Sequence, residues 1–164
     1  MSIPILALIL QGIPESIALA ILGYLFTNTN LNWFRITILG LMCAFTAYFL
    51  RLFPAGFGFH ILAIIFVIFM FLTYVEKISV IPALTAAFFS EVLLIVIEAA
   101  CLSVIASFSG QDISSYICHL ANNVYQRIAV AWVHTLILFV LAYVIFYFKR
   151  RRKPTILTSG RRNG

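Results

Sequence analysis

Three carboxylates, Glu15, Glu91 and Glu98, lie inside long apolar stretches of this chain. An ionisable side chain is costly in hydrocarbon, so it normally faces a partner or a water-filled cavity. Glu91 and Glu98 are about two helical turns apart, which places them on one helix face and about 10 Å apart along its axis. Ala87 and Ser90 near that face allow close helix packing. We therefore expect Glu91 and Glu98 to point into a helix bundle.

Other ionisable side chains stand near the ends of apolar stretches, at depths comparable to that of Glu98. If the helices alternate in direction, these groups come together beneath one membrane surface. The sequence thus predicts a ligand or proton site that comprises Arg51, His60, Glu91, Glu98, Arg127 and His134. Glu15 directly follows Pro14, so it either satisfies the local backbone or lines the same cavity.

A simpler interpretation of the same residues stays open. Arg51 and Arg127 would reach lipid headgroups with their long side chains. His60 would lie in a solvated loop, and Glu98 would be a neutral, hydrogen-bonded acid in the core.

Motifs for catalysis or metal binding are absent from the sequence. There is no HExxH pair, no nucleophile elbow and no glycine-rich phosphate loop. His60 and His134 are not at ligand spacing, and the three cysteines form neither a disulfide framework nor a zinc motif. We expect no enzymatic activity, no metal and no cofactor.

The composition is that of a membrane protein. Hydrophobic residues make up 63% of the chain and charged residues only 10%, whereas about a quarter of a soluble domain is charged. The apolar stretches match the roughly 20 residues that a helix needs to cross a bilayer. We predict an all-α, polytopic transmembrane helix bundle with about five membrane-spanning helices and a short interfacial helix.

The bundle is predicted to occupy residues 1–149. The first helix is a retained one, interrupted around Pro14, and residues 110–126 have the amphipathic pattern of a helix that lies on or dips into the membrane interface. The basic tail 150–164 is expected to be cytoplasmic and disordered. The predicted membrane-spanning helices are 3–26, 33–53, 59–75, 78–108 and 128–148.

Positive charge is concentrated at the carboxyl end of the chain. The formal net charge is +6, and most of the lysines and arginines follow Phe148. A basic run beside an apolar helix indicates topology and anchors headgroups, so we expect lipid rather than nucleic acid as its partner. This predicts a multi-pass plasma-membrane protein with a cytoplasmic C-terminus and an external N-terminus. The run consists of Lys149, Arg150, Arg151, Arg152 and Lys153.

Several short motifs occur together: Ile13-Pro14-Glu15, Arg51-Leu52-Phe53-Pro54 followed by Phe57-Gly58-Phe59-His60, and Ile78-Ser79 opening a helix with Glu98. In this combination, residues 3–148 resemble the membrane sensor region of bacterial sensor histidine kinases of the accessory-gene-regulator kind. No phosphoacceptor or ATP-binding domain follows Lys153. The resemblance implies a stand-alone bacterial sensory module that signals through another protein.

Two functions are therefore considered. The first is a sensory, regulatory or protein-interaction module whose partner is a membrane protein, a cytoplasmic protein or a second copy of the chain. The alternative is a small transporter or transporter subunit in which Glu15, Glu91 and Glu98 relay protons or cations. A structural subunit, with polar groups that only join helices, is a third reading.

Overall fold

The computed structural model describes residues 8–52, 58–110 and 124–152. These residues form helices joined by short turns, which confirms the predicted all-α fold. A π-helical turn, Leu8–Gly12, leads into the first α-helix. The α-helices are α1 (Ile13–Phe26), α2 (Trp33–Leu52), α3 (Phe59–Tyr74), α4 (Val80–Phe108) and α5 (Val124–Arg152).

Four of the helical segments are long and apolar enough to cross a membrane. The fifth, α3, is also apolar, but its 16 residues extend only about 24 Å. The described part of the chain thus contains four long apolar helices and one shorter one, as expected of a multi-pass membrane protein. The long segments are Leu8–Phe26, Trp33–Leu50, Val80–Phe108 and Ile128–Arg151.

The helix bounds differ from the predicted ones at several points. Helix α5 begins at Val124 rather than at residue 128, and α4 begins at Val80 rather than at residue 78. The predicted interfacial segment falls largely on residues 111–123, and most of the tail falls on residues 153–164. Both of these ranges lie outside the described residues.

The predicted interruption of the first helix is a change of helix type. Pro14 has no backbone N–H, so it cannot donate to the carbonyl one turn before it. The preceding residues, Leu8–Gly12, adopt the wider π-helical form, and α1 continues from Ile13 with Pro14 in its first turn. Glu15 therefore lies in the first turn of α1, beside the widened segment.

Helix α1 is the centre of the bundle. It packs against each of the other α-helices, and almost every residue from Ser16 to Leu25 is buried. The outer helices α2, α3, α4 and α5 each pack against the next one along the chain. Among the described helices no comparable packing joins α2 to α5. The bundle is therefore open along one side of α1.

The helices run alternately in opposite directions and define two ends of the bundle. We call the end that contains Phe26, Trp33, Tyr74 and Lys149 the basic end. The π-helical turn and the first residues of α3 and α5 lie at the opposite end.

A close helix contact joins α1 to α2 at Gly40. A Cβ atom on Gly40 would lie 2.7 Å from Cγ1 and 3.0 Å from Cα of Ile17. Backbone atoms cannot move aside as a flexible side chain can, so only glycine fits here. Small residues bring membrane helices together in this way because lipid supplies no hydrophobic drive for their association.

The substitution Gly40→Ala should lower the free energy of unfolding by about 2 kcal/mol, because overpacking a tight contact costs roughly 1–3 kcal/mol. Chemical unfolding in detergent micelles measures the change. Gly23→Ala is the matched control, since its Cβ would lie 3.5 Å from Ile68 and 3.8 Å from Leu72, at ordinary contact distance. The control should be neutral or stabilising. Equal effects of both substitutions would contradict the proposed close contact.

Candidate functional site

An acid and an imidazole meet between α1 and α5. Oε2 of Glu15, in the first turn of α1, lies 3.7 Å from Nε2 of His134 on α5. His134 is 2% exposed. The separation suits an ion pair or a bridging water, and it is longer than a direct hydrogen bond.

The buried face of α5 directs His134 towards α1. Ala131, Thr135, Leu138 and Ala142 are buried on the same face and recur at helical spacing. The two alanines allow the helix backbones to approach, and Thr135 donates its hydroxyl proton to the carbonyl oxygen of Ala131, at 2.8 Å. His134 is therefore the ionisable group that this face presents to α1.

The two carboxylates of α4 have different surroundings. Glu91 is 2% exposed and lies within electrostatic range of Cys43 on α2. Glu98 is exposed, although its charge still acts on His134. The expectation that both point into the bundle is thus right for Glu91 and wrong for Glu98.

The length of α3 explains this difference. Helix α3 has 16 residues and α4 has 29, so α3 can cover only the first part of its neighbour. Beyond that part, Val96, Ala99 and Ala100 are exposed together with Glu98.

The structure brings part of the predicted site together. Glu15 lies beside His134, and Glu98 is near enough for its charge to act on His134. The sequence predicted only a secondary role for Glu15. His60 is partly buried in the first turn of α3. Arg51 and Arg127 lie on α2 and α5, but their side chains are outside the part of the chain that the structure describes.

A second polar cluster lies at the basic end and was not predicted. The hydroxyl of Tyr24 donates to Oε1 of Glu76 at 2.5 Å. Arg35 Nη1 lies 3.1 Å from the same oxygen. Tyr24 is fully buried, so this pairing satisfies a hydroxyl in the core. The sequence could have indicated the contact between Arg35 and Glu76, because the beginning of α2 and the end of α3 lie at the same end of two antiparallel neighbouring helices.

Lys149 also contacts α1 at the basic end. Its ammonium donates to the carbonyl oxygen of Leu25 and, at 2.7 Å, to Oδ1 of Asn28. A cation at the last carbonyls of a helix satisfies orphan acceptors and complements the helix dipole. Lys149 therefore joins α5 to the end of α1, a contact that the sequence did not predict.

The neighbouring basic residues differ from Lys149. Arg150 and Arg151 are exposed, and the Arg151 guanidinium lies 4.7 Å from the ring centre of Tyr147. The Arg152 side chain and all of Lys153 are outside the described part. The headgroup role predicted for this run stays a prediction.

Two polar contacts thus hold α5 against α1, and we call them together the α1–α5 clasp. Glu15 with His134 forms one half, and Lys149 with Leu25 and Asn28 forms the other. Between Glu15 and Leu25, α1 rises about 15 Å. The α1 segment from Ala18 to Leu22, between the two halves, buries apolar side chains.

Comparison with known proteins does not assign the chain to a family. No family model matches it, and no curated protein or solved structure was found to be similar. Within the described ranges, no three or more His, Cys, Asp or Glu side chains are grouped to hold a metal ion.

Replacing Tyr24 with Phe should lower the free energy of unfolding by about 1–2 kcal/mol, because the buried Glu76 carboxylate loses a donor. Denaturant unfolding in mixed micelles measures this loss. Tyr74→Phe removes a hydroxyl from a side chain that is 74% exposed, so it should have no measurable effect. A Tyr24→Phe variant as stable as the parent chain would show that the Tyr24–Glu76 bond contributes nothing.

Proposed function

We propose that this chain is a sensory or regulatory module of a bacterial plasma membrane that signals through a partner protein. The observation that carries the proposal is the contact between Glu15 and the buried His134, which joins two helices from opposite ends of the sequence. In the proposed mechanism this pair receives a proton, and α5 passes the resulting shift to the basic end.

The chemistry of the pair suits a proton-dependent contact. Histidine gains and loses a proton near neutral pH, which makes it the usual pH-sensitive residue. When His134 is protonated, its contact with Glu15 becomes an attraction between opposite charges in a medium of low polarity. Glu98 adds to that attraction, since its charge also acts on His134. Loss of the proton weakens the hold of α5 on α1.

Helix α5 provides the route for the signal. It is continuous from His134 to Lys149, a rise of about 22 Å. A movement of α5 at the His134 end therefore changes the position of Arg150 and Arg151. The basic run favours the cytoplasm, so a cytoplasmic or membrane partner with acidic groups would receive the signal there.

The alternative, a proton or cation relay through Glu15, Glu91 and Glu98, is less well supported. A relay must connect the two sides of the membrane. From Ala18 to Leu22, α1 buries apolar side chains between the Glu15–His134 pair and the Tyr24–Glu76 cluster. Transport along this path would therefore need water or a partner chain to bridge the gap.

Double electron–electron resonance measures the distance between two spin labels, and this distance tests the proposed signal. The labels are attached to cysteines that replace the exposed residues Tyr74 and Phe148 at the basic end. The native cysteines are removed, and the protein is reconstituted in lipid nanodiscs. The label-to-label distance should change between about pH 5 and pH 8, where histidine titrates. The change should disappear in Glu15→Gln and in His134→Gln.

His60→Gln is the matched control, since it removes a different histidine and should leave the pH response intact. A distance that does not depend on pH, or a response that survives in Glu15→Gln, would refute the proposed mechanism. Proton flux into proteoliposomes that is lost in Glu15→Gln would instead support the transporter.

A further inference from the structure

A groove of about 700 Å³ opens on the side of the bundle where α2 and α5 leave α1 uncovered. Its inner walls come from α1 and α5 and are apolar. A groove that is open to the side, in a protein that spans a membrane, faces acyl chains rather than water. The wall residues include Ile21, Leu25, Phe139, Ala142 and Phe146.

The groove has a different chemistry at the basic end. Lys149 and Arg150 line it there, together with Asn28 and Asn30. An ammonium has three N–H donors, and Lys149 uses two of them on Leu25 and Asn28. Its charge and remaining donor, with the exposed Arg150 guanidinium, can serve an anion at this end.

We propose that this groove binds one anionic phospholipid. An acyl chain packs against the apolar walls, and the phosphate lies between Lys149 and Arg150. Charge complementarity favours this occupant, because basic side chains near the end of a membrane helix attract anionic headgroups. Trp33 forms part of the rim, at the level where tryptophan normally meets headgroups.

The site does not depend on the proposed sensory function, although both concern the same helices. The headgroup would lie beside Lys149, which belongs to the α1–α5 clasp. Lipid bound there would stabilise the half of the clasp that is remote from His134.

Quenching of Trp33 fluorescence by brominated phospholipid tests the proposal with the full chain. The chain has two tryptophans, so Trp132→Phe leaves Trp33 as the reporter. The protein is reconstituted in phosphatidylcholine vesicles with increasing fractions of brominated phosphatidylglycerol or brominated phosphatidylcholine. Half-maximal quenching should need about 25-fold less of the anionic lipid, because each of the two basic contacts to the headgroup contributes about a factor of five.

Matched variants separate a site from general attraction to a basic surface. Arg150→Gln removes a groove residue and should lower the preference for phosphatidylglycerol about fivefold, leaving the part that Lys149 contributes. Arg151→Gln removes the same charge outside the groove lining and should retain the full preference. In the same way, Phe146→Ala should weaken quenching by the anionic lipid, whereas Phe148→Ala should not.

Three results would overturn the proposal. The first is equal quenching by the two brominated lipids. The second is an equal loss of preference in Arg150→Gln and Arg151→Gln, since a general surface potential would lose the same amount with either charge. The third is protection of Trp33 from both lipids, which would mean that protein, such as a second copy of the chain, covers the groove.

Discussion

A charged side chain within a membrane helix needs a partner from the protein, because hydrocarbon provides none. Glu15, at the beginning of the central helix, obtains its partner from His134 on the last helix. This requirement brings together helices that are far apart in sequence. At the other end of α1, the Tyr24 hydroxyl donates to Glu76, and the Lys149 ammonium donates to the carbonyl oxygen of Leu25. The polar ends of α1 thus contact α5 and the end of α3, and close apolar packing fills the space between them.

The same arrangement relates the two proposals. Helix α5 contacts α1 through the Glu15–His134 pair and, nearer its carboxyl end, through Lys149, so a change at either contact would alter its position against α1. In the two proposals, a proton acts at the Glu15–His134 half of the clasp, and an anionic lipid acts beside the Lys149 half. Coupling between such sites is reciprocal, so lipid bound in the groove would change proton affinity at His134.

The apolar stretches predicted the helices well, because membrane crossing requires a minimum length that composition alone reveals. The small residues of α4 likewise predicted that Glu91 is buried. The exposure of Glu98 was not predictable, since it depends on how far the shorter helix α3 extends beside α4. The Glu15–His134 contact was missed as a pair because the sequence does not show which helices are neighbours. Glu15 was nevertheless identified as a carboxylate in need of a partner.

The most direct test of the clasp is a double-mutant cycle on its buried half. Unfolding free energies of the parent chain, Glu15→Gln, His134→Gln and the double variant are measured in the same micelles at a pH where His134 is protonated. A coupling energy of about 1–2 kcal/mol is expected for a desolvated ion pair between neighbouring helices. Effects that simply add, with no coupling between the two positions, would contradict the contact on which the proposed function depends.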